Sequence, residues 1–165
     1  MSVLASIALL IGSSVSSPPA QPVERVQWVV TRVTRAARGD TQFVQIGARI
    51  DPGWHVYSLT QQPDGPFPLR VTSAASATGS SIWSVAGTVK GPVPERQPTS
   101  PFGIPVEWYS GAPQFSVPLV ATAGVGATGG AGTSTVVLRV RYQACSDTLC
   151  LPPRTIELST RLAAR

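Results

Sequence analysis

Cys145 and Cys150 are the only thiols in a chain of 165 residues, and four residues separate them in the stretch YQACSDTLCLPP. Three chemistries fit two cysteines so close together. A metal site is the weakest, because the sequence has a single histidine, His55, and two thiolates plus one imidazole leave tetrahedral zinc a ligand short. No metal and no cofactor are expected. A structural staple is poorly served by the spacing, since closing so small a ring removes roughly 2 kcal/mol of chain entropy at most. A redox pair needs two sulfurs that can close on each other and one that a partner's thiolate can reach, because exchange runs through a mixed disulfide. Leu151-Pro152-Pro153 forbids a helix after the pair, so no helix dipole acts on these thiols. The pair is expected to follow its partner rather than drive exchange unaided. On spacing alone, staple and redox pair both stand.

The elements that hold the pair read as strands. Val136, Leu138, Val140 and Tyr142 alternate with Arg139, Arg141 and Gln143, and Cys145 ends that run. Cys150 opens the return, and Thr155 to Leu162 alternates again through Ile156 and Leu158, so the cysteines lie at one end of a hairpin. Upstream, Val26 to Val33 is rich in β-branched residues, and Val44, Ile46, Ala48 and Ile50 fall on one face. Trp54 to Leu59, a short strand ending at Val71, Ser81 to Lys90, and Gln114 to Thr122 read as further strands, with Pro118 marking an edge or a bulge. Trp28 and Trp54 are core candidates. Arg38-Gly39-Asp40 is a turn, and Gly124 to Gly132 is a Gly-rich connection. The segment Gly91 to Pro113 is Pro-rich and reads as a long irregular loop with a short strand at Val106 to Tyr109. Loops of that length inside a domain tend to be functional. Seven to nine short strands without an amphipathic helix predict an all-β, immunoglobulin-like antiparallel β-sandwich with an active-site hairpin.

Composition narrows the classes further. Residues 1–20 carry no charged side chain and hold an apolar run from Val3 to Ile11, which is too short to span a bilayer. Small residues follow, as in a secretory signal. We read 1–20 as a cleaved export signal and 21–165 as one domain, periplasmic or secreted and monomeric. The formal charge is +5, and twelve of the 13 basic residues are arginines scattered along the chain. Nucleic-acid binding would need a basic stripe interleaved with aromatics, and none is present. No hydrolase arrangement and no phosphate-binding loop is present either.

Three segments resemble the N-terminal periplasmic domain of the thiol:disulfide interchange protein DsbD family. They are PGWHVYSLTQQPDGPFPLRV (Pro52 to Val71), Pro101 to Phe115, and VRYQACSDTLCLPP with its cysteines in a Tyr-Gln-x-Cys…Cys-x-Pro-Pro frame. The resemblance runs over about residues 25 to 162. It implies an immunoglobulin-like sandwich and a Cys145–Cys150 pair that works as a thiol-disulfide oxidoreductase component. Such a pair takes electrons from a thioredoxin-like protein and passes them to oxidised periplasmic proteins, disulfide isomerases and cytochrome c maturation factors among them. Here a membrane electron-transfer protein is expected to act in trans. The resemblance also implies a cap loop over the disulfide, matched by Ser100 to Glu107 with Phe102 and Gly103 at its tip. Ser100 and Pro101 stand where some members carry acidic residues. His55 and Tyr57 match positions beside the cysteines, with Tyr142 a further supporting residue at that end. By family analogy Cys150 is the sulfur that bonds to partners. The competing reading is a secreted β-sandwich binding module whose local disulfide is purely structural.

Overall fold

The computed structural model describes residues 24–62, 65–74, 83–100, 102–121 and 133–163; the expected export signal and the Gly-rich connection lie outside them. Among the described residues there are eleven strands and no helix. In chain order they are β1 Val26–Arg35, β2 Gln42–Ile50, β3 His55–Tyr57, β4 Arg70–Ser73, β5 Trp83–Val85 and β6 Glu95–Gln97. There follow β7 Val106–Tyr109, β8 Gln114–Ala121, β9 Thr133–Tyr142, β10 Ala144–Cys145 and β11 Arg154–Ala163. All pairings are antiparallel. The first sheet runs β1-β2-β8-β5, the second β11-β9-β4 and the third β10-β3-β7-β6. The all-β antiparallel sandwich that the strand pattern predicts is the fold found.

Side-chain alternation decides what lies between the layers. Val44, Ile46, Phe115, Val117 and Leu119 from the first sheet meet Val71, Val136, Leu138, Val140 and Leu162 from the second in one buried cluster. Each fully buried side chain of this size contributes about 1.5–3 kcal/mol relative to exposure. Trp28 packs on this cluster without being fully enclosed, its ring 5.8 Å from that of Phe115 and 5.5 Å from that of Tyr142. Trp54 is also a flanking residue, stacked under the Arg25 guanidinium.

Two stretches depart from the sequence reading. Pro118 stands in an interior strand, opposite Phe43 in unbroken register, so the interruption expected there falls on its neighbour instead. The Pro118 carbonyl accepts the Ala86 N–H at 2.9 Å, and in an antiparallel strand its missing N–H faces the same side. The ladder therefore stops at Val85, and the chain rejoins β8 only at Lys90, opposite Ser116. The second departure is β6. The segment read as irregular on either side of Val106–Tyr109 contains a second strand, Glu95–Gln97, paired to β7.

The third sheet positions the cysteines. The chain leaves β9 at Gln143, whose amide donates to the Leu151 carbonyl at 3.1 Å and accepts the Phe67 N–H at 3.2 Å. β10 then crosses to pair with β3, with Ala144 opposite Val56 and Cys145 opposite His55. Because side chains alternate across a strand, this sheet has two unlike faces. Val56, Tyr109 and Ala144 belong to the main core. Tyr57, Val106 and Cys145 form a separate small cluster on the other face, with Trp108 packed against it.

Candidate redox site

Cys145 and Cys150 form a disulfide, with their Cα atoms 4.1 Å apart. Ser146 to Leu149 make the turn between them. The Ser146 N–H donates to the Leu149 carbonyl at 2.8 Å, and the Leu149 N–H donates to Ser146 Oγ at 3.1 Å. The Leu151 N–H donates to the Ala144 carbonyl at 2.9 Å, closing the hairpin behind the pair. The serine is thus chosen locally: its hydroxyl takes a backbone donor that a tight turn would leave free.

The two sulfurs belong to unlike residues. Cys145 is fully enclosed, at 0% exposure, whereas Cys150 is exposed. Cys150 opens onto a groove of about 330 Å³. Its floor is the second face of the third sheet, with His55 and Tyr57 from β3, Trp108 and Val106 from β7, and Gln97 from β6. One wall is the Ser146–Leu149 turn and the other is the loop that brings Ser100 and Phe102. Phe102 and Leu149 are both large apolar side chains left substantially exposed, at 47% and 55%.

The Phe102 loop is tied to itself. Ser100 Oγ donates to the Ile104 carbonyl at 2.5 Å and accepts the Phe102 N–H at 3.3 Å, while the Gly103 N–H donates to the Ser100 carbonyl at 3.0 Å. Gly103 has φ +72°, the left-handed region that a residue with a Cβ rarely enters, so it is the glycine that lets the loop turn back. Where acidic residues were a possibility, Ser100 serves instead as the brace of the loop. The return into β7 is fixed by Gln61, which is buried and accepts the Glu107 N–H at 2.8 Å.

The His55 ring is held on two sides, stacked 4.6 Å from Trp108 and edge-on 5.3 Å from Tyr57. Burial lowers the His55 pKa below its ordinary value, against the opposing pull of Asp147 and Glu95. Burial likewise raises the Tyr57 phenol. Trp108 Nε1 donates to Glu95 at 3.3 Å.

Of the residues singled out from sequence, the fold brings Cys150, His55, Tyr57 and Phe102 to one groove, with Cys145 beneath it. Tyr142 is elsewhere. It lies on the core side against Trp28 and lines a separate small recess with Arg25, Ala144 and Leu151. Trp108, Leu149 and Gln97 belong to the groove and were not anticipated. Trp108 was within reach of the sequence, since Val106 and Trp108 alternate within a short strand inside a segment already suspected of function. Gln97 carried no such signal. Among the described residues no cluster of three or more His, Cys, Asp or Glu gathers to hold a metal.

A β-sandwich with a short-loop disulfide at one end, one half sealed and the other open to a groove, has the form of a thiol–disulfide interchange domain. The chain belongs to the family described as thiol:disulfide interchange protein DsbD, N-terminal, whose pattern matches residues 25–161. Two solved structures share the fold. The DsbD N-terminal domain of Neisseria meningitidis, in its reduced form, is 16% identical with a TM-score of 0.50, covering 85% of this chain and 90% of that one. The N-terminal periplasmic domain of ScsB from Proteus mirabilis is 15% identical with a TM-score of 0.51, covering 81% of this chain and 44% of that one. None of the curated proteins matches the chain.

Proposed function

We propose that this domain is an electron relay outside the cytoplasm, exported by residues 1–20. Its Cys145–Cys150 pair accepts two electrons from a thioredoxin-like donor and passes them to oxidised proteins. The observation that carries the reading is the asymmetry of the pair, with Cys145 sealed and Cys150 exposed on a groove with apolar rims. A donor thiolate attacks Cys150 Sγ, a new S–S bond forms, and the bonding pair of the old disulfide leaves on Cys145 Sγ. The donor's second thiolate then attacks its own sulfur in the mixed disulfide and releases Cys150. In the second half-reaction the Cys150 thiolate attacks the disulfide of an oxidised protein, and Cys145 resolves the product. Phe102, on the wall facing the cysteine turn, narrows access to Cys150 in the resting state and swings aside for a partner that offers apolar contacts of its own.

Trapping tests the relay. A Cys145→Ala variant keeps the exposed thiol, and it should accumulate a mixed disulfide with a thioredoxin-like protein that lacks its resolving cysteine and carries its remaining cysteine as a disulfide with thionitrobenzoate, which leaves when Cys150 attacks. A Cys150→Ala variant keeps only the sealed thiol and should accumulate at least tenfold less. Equal trapping by both variants, or trapping by neither, would reject the relay and leave a structural disulfide.

A further inference from the structure

The only imidazole in the chain lies at the redox pair. His55 stands directly opposite Cys145 in the β3–β10 ladder, so the two side chains share a face with Cβ atoms about 4.5–5.5 Å apart. Trp108 and Tyr57 fix the ring from two sides. Its Nε2 is buried and has no hydrogen-bond partner in the protein. A buried ring nitrogen left unpaired is costly, and such a group calls for an explanation. The main core does not require it, because Val56, the next residue, fills that role on the opposite face. What distinguishes the His55 position is its neighbour: a sulfur that carries no charge in the disulfide and gains one when the disulfide opens.

We propose that His55 takes up a proton as the Cys145–Cys150 bond opens and holds it against the charge released on Cys145. The inference rests on the exchange reading above and assigns the proton that accompanies the electrons. When a donor thiolate attacks Cys150, the bonding pair of the broken disulfide is left on Cys145 Sγ, in a residue shut off from water. Charge stranded there is expensive unless a counter-charge forms beside it. A proton drawn from solvent onto Nε2 supplies that counter-charge and gives the orphan nitrogen a partner in the same step. Reversal, when Cys145 attacks to resolve a product, returns the proton to solvent. The other groups facing the ring are Asp147 from the turn, Glu95 from β6, and the Tyr57 phenol. The two carboxylates favour the imidazolium, yet in the oxidised protein burial outweighs them, so the ring is poised on the neutral side. His55 is accordingly a positioning residue for charge.

A single histidine makes the test direct. Its ring resonances can be followed by NMR against pH in the oxidised wild-type protein and in protein reduced with dithiothreitol, with no variant required. His55 should titrate at least about one pH unit higher in the reduced form. A His55 pKa that rises on reduction means that the reduced state binds more protons between the two midpoints. The reduction potential should then climb more steeply with acidification across that window in the wild type than in His55→Gln. One unit corresponds to a tenfold change in the equilibrium, or about 30 mV for two electrons. Coincident His55 titrations in the two redox forms would overturn the proposal, as would parallel potential–pH curves for wild type and His55→Gln. Should dithiothreitol fail to reduce the folded protein, the exchange reading falls and this one with it. Reduction without a change at His55 removes this inference alone.

Discussion

On the roles proposed above, Phe102 and His55 would make opposite demands on the groove, one excluding solvent and the other needing a proton from it. Phe102 is about half exposed and its N–H is held by Ser100 of the same loop, so little of the fold depends on its ring. Phe102→Ala should therefore change stability by less than about 1 kcal/mol in urea unfolding. If Phe102 narrows access to Cys150 as proposed, the substitution should also speed reduction by dithiothreitol about tenfold or more. Equal rates would reject the cap, and a loss of several kcal/mol would mark Phe102 as a core side chain. For His55 the oxidised protein carries a pH signature of its own. Its folded pKa lies below the unfolded value of about 6.5. The unfolded chain then binds more protons within that window, so stability is fully present above the unfolded pKa and is lost as pH falls through the folded one. Melting temperature should drop on acidification below about pH 6.5 more steeply in the wild type than in His55→Gln. Matching curves would show that the imidazole does not titrate differently on folding.

Strands with one apolar face were legible from the sequence, whereas β6 and β10 were not, for a physical reason. β2, β8 and β9 bury every second residue, and that period is written directly in Val44-Gln45-Ile46 or Leu138-Arg139-Val140. β6 is exposed at all three positions, Glu95, Arg96 and Gln97, so no pattern marks it; only its pairing to β7 makes it a strand. β10 is two residues long, and its move from one sheet to another is a decision of tertiary structure. The disulfide end of the hairpin was thus readable, as were β3 and β7 as separate strands, whereas β6 and the pairing that joins all three into one groove floor were not. The same elements yield a prediction about the base of the cap loop. Gln61 is buried, and its side-chain carbonyl takes the Glu107 N–H where the loop enters β7. Gln61→Ala should cost about 1–3 kcal/mol by leaving that donor unpaired. It should also raise the rate of reduction, since the loop bearing Phe102 loses its anchor. A variant as stable as wild type in denaturant titration would show that water satisfies the donor equally well.

Across the whole molecule the disulfide encloses only the Ser146–Leu149 turn, while the main core is built from the two other sheets and one face of the third. Reduction should lower the melting temperature by no more than about 8 °C, the most that roughly 2 kcal/mol can produce in a domain of this size. A larger fall in calorimetry would identify the pair as a staple. The two-faced third sheet has a wider consequence. Alternate residues of β3, β7 and β10 serve different sides: Val56, Tyr109 and Ala144 the main core, and Tyr57, Trp108 and Cys145 the small cluster at the groove. Mutations therefore sort by parity of position along a few short strands. If the groove docks redox partners as proposed, substitutions at Gln97 or Leu149 would change which partner fits while leaving the residues of the main core untouched. Such a sheet lets recognition evolve at a pace of its own.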